Sequence, residues 1–331
     1  MRLFTRGFAV RLMCVLALVA GGSAAAGPAF ARSVNPALHG RAASALPVNY
    51  DFAVALVTTA LFPNVPPPGA NNFSCKPSAA HPHPVILVHG TFENQADNWQ
   101  AASPVLVNHG YCVFSFNYGQ LVPGDPVAGT QDIPASARQL KAFVSQVLAA
   151  TGAAKVDIVG HSQGGMMPRY YLKFLGGARN VHTLVGLSPS SHGTTVDGVT
   201  TLTQTLSLFG VFDAGLNVLC PSCKQQMVGS SFLTRLNAGG DTVPGVHYTV
   251  IETKGDEVVT PYASAFLSGP GVTNITVQDQ CQADASDHLE ISYDPVALAD
   301  MLNALDPANP VPVPCVPVLP LTGPVGPVPP F

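Results

Sequence analysis

One stretch constrains this chain more than any other: Lys155-Val-Asp-Ile-Val-Gly-His-Ser-Gln-Gly-Gly165. Val156, Ile158 and Val159 predict a short buried strand. The chain then turns through Gly160-His161-Ser162-Gln163-Gly164, a G-x-S-x-G sequence. Between a strand and a helix this is the nucleophile elbow, which lifts a serine hydroxyl above the sheet edge. The glycines remove Cβ atoms where strand and helix backbones nearly collide. Residues 166–175 predict the following helix. Its N-terminus places N–H groups and a positive dipole end beside Ser162, where negative charge would develop. The bland alternative is a glycine-rich strand-to-helix turn with no chemistry.

Around this stretch, predicted strands alternate with helices. Pro84-Val-Ile-Leu-Val-His-Gly90 reads as a central strand buried on both faces. Strands are expected at 111–117, 181–187, 246–253 and 274–278. Helices are expected at 50–61, 133–150, 232–237 and 295–305, the last with Asp294 as cap and Pro295 at its first position. Such alternation predicts an α/β fold around a mostly parallel sheet with helices on both faces. Residues 194–226 break the pattern. Leu202, Leu206, Leu208, Phe209, Val211, Phe212 and Leu216 lie there among Gly, Thr and Ser. That segment reads as an excursion over the active-site face, or as ordinary core. Residues 307–331 hold ten prolines. They predict an extended strap, anchored at Cys315 and loose over its last dozen residues.

The N-terminus reads as a targeting segment. Arg2, Arg6 and Arg11 precede an apolar run at 12–20 that is too short to span a bilayer, and Ala29-Phe30-Ala31 offers a cleavage site. Export is expected, with Arg32 as the first mature residue and no transmembrane segment. Cys14, after the bulky Met13, does not look like a lipid-attachment site. The expected organisation is a signal peptide at 1–31, an arm at 32–80, a catalytic domain at 81–306 and the tail at 307–331. An oxidising destination makes disulfides of the other six cysteines. Six cysteines allow 15 pairings. The favoured set is Cys75–Cys112, Cys220–Cys223 and Cys281–Cys315. Cys220-Pro-Ser-Cys223 has redox spacing, but no thioredoxin-like βαβ unit surrounds it.

Charged residues are only 10% of the chain and the net charge is −4, with no basic patch for nucleic acid. His81-Pro82-His83 is a rigid loop pair without a clear third ligand, so no metal is expected.

A serine hydroxyl needs a base and an orienting acid. Behind this elbow they follow in the order Ser, Asp or Glu, His. Of the histidines after Ser162, His182 and His247 sit inside predicted strands, and His192 comes too early. His288, in Asp287-His288-Leu289-Glu290, lies between the last strand and the last helix and is the expected base. Asp256, where a strand ends and a turn begins, is the expected acid; Glu257 and Asp287 compete, with Glu257 expected to face solvent. The oxyanion hole needs two backbone donors. Gln163 follows the nucleophile, and Thr91 lies in the loop His89-Gly90-Thr91-Phe92. His89 and His161 read as packing residues beside the site.

Four segments occur in order: Val88-His-Gly-Thr-Phe-Glu-Asn94, Gly160-His-Ser-Gln-Gly164, Gly255-Asp-Glu-Val-Val-Thr-Pro-Tyr262 and Asp287-His-Leu-Glu290. Together they resemble the secreted class 2 lipases of actinobacteria and, more distantly, the fungal lipase B type, over roughly residues 70–306. The resemblance implies an α/β-hydrolase fold with Ser162 as nucleophile, Asp256 as acid, His288 as base, and Thr91 and Gln163 in the oxyanion hole. It further implies hydrolysis of acyl glycerols and related esters without a cofactor. The expected partner is an ester or lipid substrate, met at a lipid–water interface by a monomer. Rival readings are a short-chain esterase, a polyester hydrolase with the same triad, and a non-catalytic binding protein on the hydrolase fold. More remote is a thiol oxidoreductase using Cys220 and Cys223.

Overall fold

Runs of β-branched and aliphatic residues build the centre of the molecule. A computed structural model of the chain describes residues 44–208 and 220–331. The leader, its cleavage site, the first part of the arm, and Phe209, Val211, Phe212 and Leu216 lie outside the described residues. Residues 45–331 form one compact unit.

In chain order the elements are α1 (Phe52–Thr59), β1 (Val85–Val88), α2 (Gln95–Asn98), α3 (Ala102–Asn108) and β2 (Val113–Ser115). Next come α4 (Ile133–Thr151), β3 (Val156–His161), α5 (Gln163–Phe174), β4 (Val181–Leu187), α6 (Val196–Leu208), α7 (Pro221–Gln225) and α8 (Ser231–Asn237). The series ends with β5 (His247–Glu252), β6 (Val272–Thr276), α9 (Val277–Gln280), α10 (Pro295–Leu305), β7 (Val318–Leu319) and β8 (Gly323–Pro324). The six strands β1 to β6 form one sheet in the order β2-β1-β3-β4-β5-β6, and every pairing is parallel. This is the α/β-hydrolase arrangement.

Side chains alternate between the two faces along each strand, and both faces are covered. Val85, Leu87 and Val159 pack with Phe52 of α1, Leu106 of α3 and Leu298 of α10. Ile86, Val88 and Ile158 pack with Leu140 of α4 and Met166 of α5 on the other face. The split follows from handedness. Right-handed crossovers that run in opposite directions along a sheet put their helices on opposite faces. The chain leaves β1 for β2, then returns to β3 on the far side of β1. Between β1 and β3 the strand order therefore reverses, and a crevice opens at their carboxyl ends.

Local chemistry sets the helix ends. The Asp132 side chain accepts the Ala135 N–H at the start of α4, and Gly152 ends it in the left-handed region at φ 77°. Asp294 accepts the Val296 N–H ahead of Pro295 in α10. Disulfides join Cys75 to Cys112, Cys220 to Cys223, and Cys281 to Cys315. Among the described residues, no helix is long and apolar enough to cross a membrane.

The last dozen residues correct an expectation, since they are not loose. β7 and β8 form a small antiparallel pair, Ala53 N–H donates to Leu321 O, and His109 Nε2 lies 2.8 Å from Phe331 O. Proline lacks only its own N–H. Residues between the prolines still supply donors and apolar anchors, Val318 being fully buried.

Candidate active site

Three loops at the carboxyl edge of the sheet carry Ser162, Asp256 and His288. The first is the turn from β3 into α5. Ser162 stands there at φ 53°, a conformation that a side chain other than glycine rarely adopts. Its own N–H donates to Leu187 O at the end of β4, and its carbonyl accepts the Gly165 N–H. The glycines leave no alternative. A Cβ on Gly160 would strike Gly164 O, and a Cβ on Gly164 would strike Val88 O.

The other two loops bring an acid to an imidazole. After β5, the Asp256 carboxylate accepts the Val258 and Val259 N–H groups through Oδ1, at 2.8 and 2.7 Å. Its Oδ2 lies 2.8 Å from His288 Nδ1, in the loop before α10. Both side chains are buried. His288 Nε2 is buried with no hydrogen-bond partner among the described residues. Burial alone would lower the His288 pKa. The Asp256 charge and hydrogen bond outweigh it, Glu257 and Glu93 add to them, and the value rises to about 9. For Asp256, burial pushes the pKa up, but the His288 charge and the three hydrogen bonds hold it below the usual carboxylate value.

Facing this pair across the crevice is the loop after β1. Thr91 and Ser162 line one cavity, together with Phe92, Ser190, Val199, Leu202, Gln226 and Val258. The cavity holds about 10 Å³, room for one water at most. Among the described residues, neither the Thr91 nor the Gln163 backbone N–H donates to a protein acceptor.

Residues 82–299 match the family Lipase (class 2). The chain belongs to that family. Over 97 residues it is 43% identical to a triacylglycerol lipase of Pseudarthrobacter phenanthrenivorans and to another of Burkholderia plantarii. Each match covers 28% of this chain, so the chain spans only 28% and 25% of those relatives' lengths. Aspergillus fumigatus lipase B shares the fold with a TM-score of 0.57 at 23% identity, over 85% of this chain and 64% of that one. The mature form of a Bacillus licheniformis lipase superposes with a TM-score of 0.50 at 16% identity, over 70% of this chain and 94% of that one.

In this class 2 lipase several supporting residues escaped the sequence reading. The Gln163 and Gln226 amides both donate to Thr91 Oγ1, at 2.8 and 2.9 Å. Gln226 comes from the end of the 194–226 excursion. A hydroxyl has two acceptor sites and one donor, so two incoming amides leave only its hydrogen free to donate. Glu93, fully buried, accepts from Gly90 N–H at 3.0 Å and lies 2.8 Å from His161 Nδ1. The other nitrogen of that ring, Nε2, is 2.8 Å from the carbonyl of His288. His161 thus ties the elbow to the loop that carries His288. Glu252 lies fully buried beneath Asp256, accepting from Ser188 Oγ and Thr253 N–H. Burial and the Asp256 charge push its pKa well above the ordinary carboxylate range. A lone Glu in a strand or loop carries no sequence mark of such burial.

Glu257 corrects another expectation. It does not face solvent but is half-buried, and its carboxylate accepts the His288 N–H at 3.3 Å. The backbone turn that buries Asp256 brings the next side chain under the same loop. Asp287 accepts the Glu290 N–H at 2.7 Å, while Asp256 is the carboxylate on the imidazole. His89 is buried and stacked on Tyr118, with Nδ1 2.8 Å from Gly90 O, and burial lowers its pKa to about 4. His192 bonds to Ser264 O and Asp241, and His182 and His247 lie at the amino ends of β4 and β5. In the excursion, Leu202 and Leu206 of α6 are buried, while Val196 and Leu208 are exposed.

Proposed function

We propose that this class 2 lipase is an exported serine hydrolase that cleaves acyl esters, triacylglycerols among them, through Ser162, His288 and Asp256. The His288 ring carries the reading. One nitrogen sits on a buried carboxylate, and the other is buried without a partner among the described residues. The ring centroid lies 5.0 Å from that of His161, the residue before Ser162.

In this reading His288 Nε2 takes the Ser162 proton as Oγ attacks the ester carbonyl. Asp256 fixes the tautomer and stabilises the imidazolium. The oxyanion is held by the N–H groups of Thr91 and Gln163, with the Thr91 hydroxyl as a third donor. The alcohol leaves with the proton from His288, and water repeats the sequence on the acyl-enzyme. No step calls for a cofactor. Val199, Leu202, Val258 and Val259 form the apolar wall for the acyl chain. Because the cavity admits about one water, α6 must move before a long chain enters. Three disulfides and the leader at 1–31 support export. The arm at 32–80 and the tail at 307–331 would flank a catalytic domain at 81–306.

Labelling with a fluorophosphonate followed by peptide mapping tests the chemistry. The label is expected on the peptide holding Gly160 to Gly164 and is abolished in Ser162→Ala. Active protein that takes up no label would rule the mechanism out. Rates on short and long p-nitrophenyl esters and on emulsified triglyceride test the substrate class. Turnover confined to the shortest esters would favour a soluble-ester esterase instead.

A further inference from the structure

The opposite edge of the same sheet gathers a second set of histidines around an aspartate. His83 lies two residues before β1, Asp157 is the second residue of β3, and His182 is the second residue of β4. In the order β1-β3-β4 these strands are neighbours, so their first residues meet at one spot. The ligand atoms of the three side chains all lie within 4.8 Å of one another. Asp157 is 2% exposed, and its Oδ1 accepts the Thr183 N–H at 2.9 Å. His182 Nδ1 lies 3.2 Å from that oxygen, and His83 Nδ1 lies 3.7 Å from Oδ2.

The second distance is the informative one. It is too long for a hydrogen bond. It suits two ligands on one ion, because a tetrahedral centre with bonds of about 2.0–2.2 Å holds its ligands roughly 3.4 Å apart. The two imidazole rings face each other with centroids 4.3 Å apart and planes 31° apart. Two cationic rings would repel each other at that distance. The histidines are also reachable, with side chains 23% and 37% exposed. On the far side of His182, an open cleft of about 520 Å³ is lined by His182 and His247.

We infer that His83, Asp157 and His182 bind one divalent transition-metal ion of the zinc class, clamping the amino ends of β1, β3 and β4. Two imidazoles and one carboxylate match that class, whereas calcium and magnesium require oxygen-rich shells. The site is structural and separate from the ester-cleaving edge. The neighbouring His81 is no ligand, since it stacks on Tyr111 with ring centroids 4.0 Å apart. The ligands beyond His83 come from β3 and β4, far along the chain. For this reason the His81-Pro82-His83 pair looked incomplete in sequence.

The test uses the full chain, stripped with a chelator and titrated with zinc chloride, followed by thermal melting and by equilibrium dialysis. One ion per chain is expected, with Tm rising by about 5 °C at 100 times the dissociation constant. His83→Gln and His182→Gln are each expected to lose that rise while keeping full ester hydrolysis in metal-free buffer. Calcium and magnesium are expected to leave Tm unchanged. The inference is overturned if zinc does not move the wild-type Tm, if the rise persists in both variants, or if calcium matches zinc.

Discussion

The two edges of this sheet bring the same pair of residue types together in different geometries, and the roles proposed for them differ accordingly. At the carboxyl edge, one imidazole meets one carboxylate at 2.8 Å and both are buried. At the amino edge, two imidazoles meet one carboxylate at 3.2 and 3.7 Å, and both rings reach solvent. A short, dry, singly bonded pair fixes one tautomer, stabilises the imidazolium and leaves Nε2 for proton transfer. A looser and wetter cluster, with several lone pairs converging, suits an ion instead. Distance and burial separate the two roles where residue identity does not.

The comparison can be broken by mutation, most severely at the carboxyl edge. Ser162→Ala or His288→Ala is expected to lower kcat by about 10⁶-fold in ester-hydrolysis assays. Asp256→Asn removes the charge but keeps the shape, and should lower kcat by about 10⁴-fold. Retention of more than a tenth of the activity there would reassign the acid. Thr91→Val removes the proposed third oxyanion donor and the acceptor shared by Gln163 and Gln226. It is expected to lower kcat by about 10²-fold with little change in KM.

Next come effects on pH dependence. In the proposed mechanism His288 acts when neutral, and its pKa is raised to about 9. A raised pKa keeps His288 protonated over a wider range. The plot of kcat/KM should therefore climb with rising pH through a midpoint at about 9. Glu257→Gln removes one of the charges that raise it, so the midpoint should move to lower pH. A midpoint that stays put would show that Glu257 does not act on the ring. The smallest expected effect closes the comparison: His182→Gln, across the sheet, should leave both kcat/KM and its pH profile unchanged.

Much of this molecule was legible because its signals are local. The strand at 181–187 and the helix at 295–305 stand at their expected bounds, the latter marked by Asp294 and Pro295. Other boundaries moved by one to three residues. The elbow helix starts at Gln163 rather than 166, because the turn itself supplies its first residues. Chain order and strand ends led to Asp256 and His288, which the structure places in contact. The fate of residues 307–331 was less legible. Proline content signals an extended chain but not which surface receives it.

By itself the sequence determined the alternating α/β class, the position of the elbow and the loops in which Asp256 and His288 follow it. Each rests on backbone demands that a few consecutive residues express: a glycine where a Cβ cannot fit, a cap, a buried apolar run. Tertiary structure alone decided that Gln226 reaches Thr91, that Glu93 reaches His161, and that Asp157 stands between His83 and His182. These partners lie 135, 68, 74 and 25 residues apart. What joins them is the parallel register of the strands and the burial of a charge, and neither is written in any one segment.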